Sequence, residues 1–192
     1  MPMIRETIVT TVNASGVPHI APLGLIEDGR DWIIAPFHPS TTLDNLRAVP
    51  FAVANHTDDV RVFAGCLTGR SDWPMIIATT VPVLRLAQSL AHAELAVQRV
   101  AEDRQRPRFH CRVLHHATHG AFQGFNRAQS AVLEAAILAS RLHLLPREKV
   151  EREIAYLAIA LGKTAGPAEQ QAWDWLMEKI RASYADGEQV GT

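Results

Sequence analysis

The stretch APFHPSTTLDNLRAVPFAVANHTDD, residues 35–59, decides how the chain is read. It opens as the end of a strand and breaks at Pro36 and Pro39. TTLDNLRA (41–48) then reads as a short helix that Pro50 ends, and FAVAN (51–55) as a new strand. Thr41 or Thr42 is the expected N-cap, because a hydroxyl there accepts from an orphan backbone N–H. The same turn offers unpaired donors and a partial positive charge, which suit a phosphate. Asn45 shares a face with Thr41 and Thr42. The residues alone leave both readings open: plain helix capping, or a site for an anion.

Before this stretch the chain reads as β structure. ETIVTTV (6–12), VPHIAPLGLI (17–26) and WIIAPF (32–37) are strands, separated by NASG (13–16) and EDGRD (27–31). Two hairpins closed by Asn, Asp and Gly predict an antiparallel meander. Pro22 removes a ladder donor in mid-strand and Gly24 leaves room, so this segment is either a bulged edge strand or the mouth of a barrel. After the stretch, residues 58–69 read as a short helix with a connector, and 70–80 as irregular around Trp73 and Pro74. Residues 83–103 read as two strands broken near residue 89, the second pairing with RFHCRVLHHA (108–117).

From Asn126 the apolar period changes from two to three and four. Helices are expected over 126–145, 146–163 and 167–185, the later two opened by Pro146 and Pro167. The last six residues are expected to fray. Strands followed by helices make an α+β chain, divided near residue 122. Trp173 and Trp175 are expected in the helical core or in a dimer contact. Arg127 stands against the dipole at a helix start, a position explained by an outside phosphate or carboxylate, and Glu134 follows on the same helix.

The bulk numbers narrow the function classes. With 192 residues, 47% apolar, 20% charged and a net charge of −1, the chain is an ordinary globular protein with no clustered basic footprint for nucleic acid. Cys66 and Cys111 lie outside any paired motif and fit a reducing compartment. No basic stretch followed by an apolar one opens the chain, and no run of about 18 apolar residues occurs. A cytoplasmic protein without membrane contact is the expectation. Phosphate-cradling glycine loops and the usual hydrolase and metalloprotease motifs are absent. His110, Cys111, His115, His116 and His119 form the densest set of metal-type ligands. Residues 111, 115 and 119 share a face if the strand is regular, but no tight structural-zinc knuckle is present. No metal is expected there; half-buried strand histidines are the simpler reading.

Taken in order, PHIAPLGL (18–25), APF (35–37), TTLDNL (41–46), FAVAN (51–55) and TDD (57–59) resemble the FMN-binding split barrel of flavin-reductase-like proteins. Thr42, Asn45 and Leu46 match that superfamily's Thr-x-x-Asn-Leu helix. Phe51, Val53 and Asn55 match its Phe-x-Val-Asn strand with Ala54 as one extra spacer. GFNRAQSAVLEAAILASRL (124–142) is similar to a branch carrying a C-terminal helical domain, so the likeness spans residues 5 to 142.

The resemblance implies a split β-barrel over 1–122 that binds FMN, and a three-helix bundle over 123–192. It implies a homodimer with FMN near the interface, and electron or hydride transfer from NAD(P)H or another reduced donor. The phosphate would meet Thr41, Thr42 and Asn45. The ring would lie along His19, Ala21, Pro22, Leu23 and Gly24, with Pro36 and Phe37 close by. Asn55, Thr57 and Asp58 would face the ribityl chain or ring edge. Arg5, Arg47, Arg61 and Arg127 are the candidate basic partners of the phosphate, while Asp58 and Asp59 suit helix capping. A non-catalytic flavin or anion-binding module is the alternative, and a histidine-cluster metal protein a third.

Overall fold

The computed structural model describes residues 2–189, with side chains described to residue 185. Of the last six residues, expected to fray, 187–189 are helical and 190–192 lie outside the described residues. Three strands open the chain: β1 (Ile4–Val12), β2 (Pro18–Asp28) and β3 (Asp31–Ile34). Asn13 closes the first turn by accepting from the backbone of Ser15 and Val17, each at 2.9 Å. Gly16 and Gly29 take positive φ in the two turns, which is why the chain has glycine there.

Helix α1 (Thr41–Ala48) and strand β4 (Phe51–His56) follow as the sequence predicts. Next come α2 (Val60–Leu67), the short strands β5 (Met75–Ile77) and β6 (Leu84–Leu86), and the long hairpin β7 (Ala91–Ala101) and β8 (Arg108–Thr118). Six antiparallel strands close into a barrel in the order β1-β2-β3-β8-β7-β4. Closure is uneven. β2 meets β3 only over Ile26–Asp28. Among the described residues, Pro18–Leu25 therefore pair with β1 alone. Pro22 sits in this half-open edge, where a missing donor is tolerated.

Inside the barrel, Val9, Leu25, Ile34, Ala52, Ala54, Ala93, Leu95, Phe109 and Cys111 form the core. Leu43 and Leu46 of α1, each 1% exposed, join it and plug one end. Burying each stabilises that placement by about 1.5–3 kcal/mol. Residues 75–77, expected to be irregular, form β5 and pair with β6, which falls in the stretch expected as strand from residue 83. The loop between them drops Ala78, Val81 and Val83 onto Val12 and Val53. Apolar side chains from a segment without clear periodicity thus cover a second face of the barrel wall.

The chain forms two compact units, 1–57 with 72–122, and 58–71 with 123–192. A single division at 122 leaves 58–71 with the barrel. In the structure α2 joins the helices α3 (Arg127–Ser140), α4 (Arg147–Thr164) and α5 (Pro167–Gln189), because Val60 and Ala64 pack among Ala128, Ala131, Ala135 and Leu176. The alanines on α3 keep its contact face small, which lets neighbouring helices approach. Trp173 is buried and Trp175 partly buried in the same core. Asn126 caps α3 by accepting from the Ala128 N–H at 2.8 Å. Pro146 precedes the first turn of α4 as its N-cap residue. No described helix is long and apolar enough to cross a membrane.

Candidate functional site: the mouth of the barrel at α1

Ser40, not Thr41 or Thr42, is the N-cap of α1; its hydroxyl accepts from the Leu43 N–H at 3.4 Å. The correction follows from the backbone, since Ser40 is the last extended residue before the helix. Thr41 is exposed and Thr42 buried at the first turn. Asn45 is 4% exposed, and its amide donates to Thr11 Oγ1 at 3.0 Å. Strand register sets His19 opposite Thr11. The structure thus brings His19 and Asn45 to one end of the barrel through β1. His19 is half-buried, and burial holds its imidazole below the usual histidine range.

The loop entering α1 is tied down on its far side. The His38 N–H donates to the Gln105 carbonyl at 2.8 Å. Asp103 Oδ1 accepts from the backbone of Gln105 and Arg106 at 2.9 and 2.7 Å. Those two N–H bonds, Arg106 first, hold the Asp103 carboxyl below its ordinary range. Arg106 then donates through Nε to the Ala35 carbonyl at 2.7 Å and lies over Phe37, 4.8 Å from the ring centre. Pro36 is buried, whereas Phe37 is 59% exposed.

Arg106 is the basic residue that sequence reading missed. The four candidates named from sequence divide differently. Arg5 pairs with Glu27 at 2.9 Å, Arg47 with Glu102 at 2.7 Å, and Arg61 with its own helix cap Asp59 at 2.7 Å. Arg127 makes no ion pair among the described residues. It lines a shallow groove of about 250 Å³ in the second unit, with Ser130, Glu134 and Tyr156. Asp58 also belongs to that second unit, just before the α2 cap Asp59. Arg106, too, forms no ion pair among the described residues. The signal that could have found it is the turn DRQRP (103–107), where Asp103 can accept from the residues that follow.

The strand residues expected along a ring fall into two sets. Strand alternation sends His19, Ala21 and Leu23 to one face, and Pro22 and Gly24 to the other. Leu23 packs on the barrel core. A Cβ built on Gly24 would stand 2.8 Å from Ile4 Cγ2, so the room this glycine leaves is taken by Ile4. Five side chains of one strand cannot all face one ligand. What residues 18–25 offer together is a backbone edge.

Asn55 requires a further correction. It is fully buried, and its amide donates to Thr10 Oγ1 at 2.8 Å and the Ile8 carbonyl at 3.0 Å. Its Oδ1 accepts from the Leu86 N–H at 2.8 Å. These bonds join β1, β4 and β6, so Asn55 serves the fold. Thr57, half-buried, ends the first unit's opening segment.

The histidine cluster is also rearranged. A bulge at Leu114 shifts the register from Leu95↔Val113 to Glu94↔His115. The extra residue reverses the alternation, so Cys111 points into the barrel core while His115 shares the face of Glu94. Residues 111, 115 and 119 therefore do not share a face. His110 instead meets Asp28 at 3.1 Å and Arg99 at 3.1 Å, and His116 is exposed. His92 and Glu94, which periodicity did not single out, are the buried partners of His115 and His119.

Residues 5–120 match the N-terminal domain, and residues 126–178 the second domain, of the family described as Protein of unknown function (DUF447). The chain belongs to this family. No curated protein matches it. Among solved structures, the DUF447 chain is similar to an FMN-bound protein of the same family from Methanosarcina mazei. The identity is 22% and the TM-score 0.80, covering 93% of this chain and 96% of that one. It is also similar to the 2-nitrobenzoate 2-nitroreductase of Pseudomonas fluorescens, at 20% identity and TM-score 0.52, over 62% of this chain and 66% of the other. An NADH:FAD oxidoreductase of Streptomyces globisporus shares 16% identity at TM-score 0.51, over 65% and 87%. At these identities the likeness shows a shared fold: the DUF447 barrel has the fold of these proteins, followed here by three C-terminal helices.

Proposed function

We propose that this DUF447 chain binds FMN at the α1 end of its barrel and works as a flavin-reductase-like oxidoreductase. The observation that carries the reading is Arg106, fixed over an exposed Phe37 in the loop that enters α1. A phosphate-tailed aromatic ring needs those three things together: a cation, first-turn N–H donors and an apolar plane. In this reading Arg106, Thr41 and Thr42 hold the phosphate, and Phe37 and the open edge of β2 flank the ring. Support also comes from the barrel being the fold of an FMN-bound relative.

Bound FMN supplies the electron and hydride chemistry through its own ring. The chain binds it, orients it and limits water around it. Its backbone edge at residues 18–25 suits a planar ring whose rim both donates and accepts hydrogen bonds. A homodimer with FMN near its interface, and NADH, NADPH or another reduced partner as electron donor, belong to the same reading.

The test is a titration of the full chain with FMN, followed by flavin fluorescence, then addition of NADH or NADPH with absorbance read near about 450 nm. Saturable binding at one FMN per chain, with bleaching, supports the oxidoreductase. Binding without bleaching makes the chain a flavin-binding module or one served by another donor. Failure to bind FMN rejects the reading.

A further inference from the structure

The second half of α4 is apolar on every side. Residues 154–161, IAYLAIAL, carry no charge, although Arg152 and Glu153 stand just before them and Lys163 just after. A helix apolar all round belongs in an interior. Here only one face is covered. Ile154, Leu157, Ala160 and Leu161 pack into the helical core. Tyr156 is 75% exposed and Ile159 53%, with Ala155 and Ala158 exposed beside them.

Gly162 adds a second signal. It lies within α4, exposed, and a Cβ built on it meets nothing within 4 Å. Its φ is not left-handed. Among the described residues, no contact requires a glycine there, yet glycine weakens a helix by about 0.5–1 kcal/mol relative to alanine.

Tyr156 and Ile159 line the groove of about 250 Å³ that α4 shares with Arg127 and Glu134 of α3. The start of α3 meets the end of α4: the Thr164 carbonyl accepts from Asn126 Nδ2, and its hydroxyl from the Ala128 N–H, both at 3.0 Å. The helices are therefore antiparallel. With equal rise per residue, Arg127 is level with Thr164 and Glu134 with Leu157. Arg127 and Glu134 stand on one face, about 10 Å apart along α3. Both are exposed, and neither forms an ion pair among the described residues. A twofold contact sets each residue of a patch opposite another of the same patch. An axis crossing both helices midway between Arg127 and Glu134 sets Arg127 opposite Glu134 of the second copy, twice. That axis crosses α4 between Ala160 and Leu161, so Ile159 comes opposite Gly162 of the second copy. A glycine with open space before it then receives a branched side chain.

We propose that α3 and α4 form a twofold contact between two copies of this chain, each helix antiparallel to its own copy, closed by two Arg127–Glu134 pairs and by Ile159 seated on Gly162. The order of charges selects a second copy over other occupants. An anionic ligand on Arg127 would share its groove with Glu134, and a lipid surface would have to take up that carboxylate beside the apolar strip. The surface lies wholly within the second unit.

Sedimentation velocity of the full chain without flavin, across micromolar concentrations, tests this. The wild type is expected to self-associate. Arg127→Glu and Glu134→Arg each set like charges opposite one another and weaken the association at least about tenfold. The double variant restores it. Gly162→Gln fills the seat with a better helix former, so the melting temperature should rise while association falls. Lost mass in that variant cannot come from unfolding, and circular dichroism checks the two charge reversals. Where barrels also pair, the single variants take a tetramer to a dimer rather than a dimer to a monomer, and either step supports the proposal. A monomeric wild type, which leaves the groove to another occupant, overturns it. So does a mass that no variant lowers, or a double variant no better than the singles. Each result is read without FMN and is independent of flavin binding.

Discussion

The Arg106 guanidinium lies over the Phe37 ring while its Nε holds the Ala35 carbonyl at 2.7 Å. One side chain thus ties down the loop that leads into α1, through both Ala35 and Phe37. Arg106→Ala should weaken FMN binding tenfold or more, since a charge-assisted contact is worth about 1.5–3 kcal/mol. Arg47→Ala should leave affinity within about twofold, because that guanidinium is paired with Glu102. Fluorescence titration of both variants checks this; equal losses would reject Arg106 as the phosphate partner.

Thr41 and Asn45 should separate experimentally. Read from sequence, the double variant Thr42→Ala with Asn45→Ala weakens FMN binding at least tenfold. The structure makes Asn45 a bond across to Thr11. Asn45→Ala alone should therefore lower unfolding stability by about 1–3 kcal/mol. Thr41→Ala, at an exposed position, should instead lower affinity and leave the urea midpoint nearly unchanged. Paired urea and FMN titrations distinguish the two effects.

Asn55→Ala should be among the most destabilising single changes in the barrel. It strands the Leu86 N–H and removes the link to Thr10 and the Ile8 carbonyl. A loss of about 2–4 kcal/mol is expected, from one buried unsatisfied donor plus the lost bonds. Hydrogen exchange at the Leu86 amide should rise more than at the Leu95 amide on β7. Uniform exchange would place the stabilising role elsewhere.

The contrast between Asn55 and Arg106 shows what the sequence could carry. The hairpins are legible because Asn13, Gly16 and Gly29 are local turn chemistry. The three long helices are legible because their apolar period runs for several turns and Asn126 marks a start. Side-chain roles are less so. Asn55 reads as a ligand contact because nothing local reveals that Leu86, 31 residues on, donates to it. The shared face expected of residues 111, 115 and 119 fails, in its Cys111 and His115 members, through one bulge at Leu114, which no composition signals. Sequence order sets α2 beside the barrel because its packing partners on α3 and α5 lie far along the chain.

The two thiols give a prediction with a worked sign. Burial pushes Cys66 up from 9.0 to about 11, and Cys111 up to about 12. At pH 8 their thiolate fractions are then about 10⁻³ and 10⁻⁴, against about a tenth for a free thiol of ordinary pKa. Native protein should react slowly with a thiol-specific chromophore, the half-buried Cys66 first and the core residue Cys111 last; in urea both should react at once. Because both folded values are raised, stability from these groups holds below about pH 9 and declines as pH rises, where the unfolded chain ionises first. The urea midpoint should fall between about pH 9 and 11, and Cys66→Ser should flatten that fall. Rapid native labelling at pH 8 would mean that neither thiol sits in the desolvated setting the barrel and helices give it.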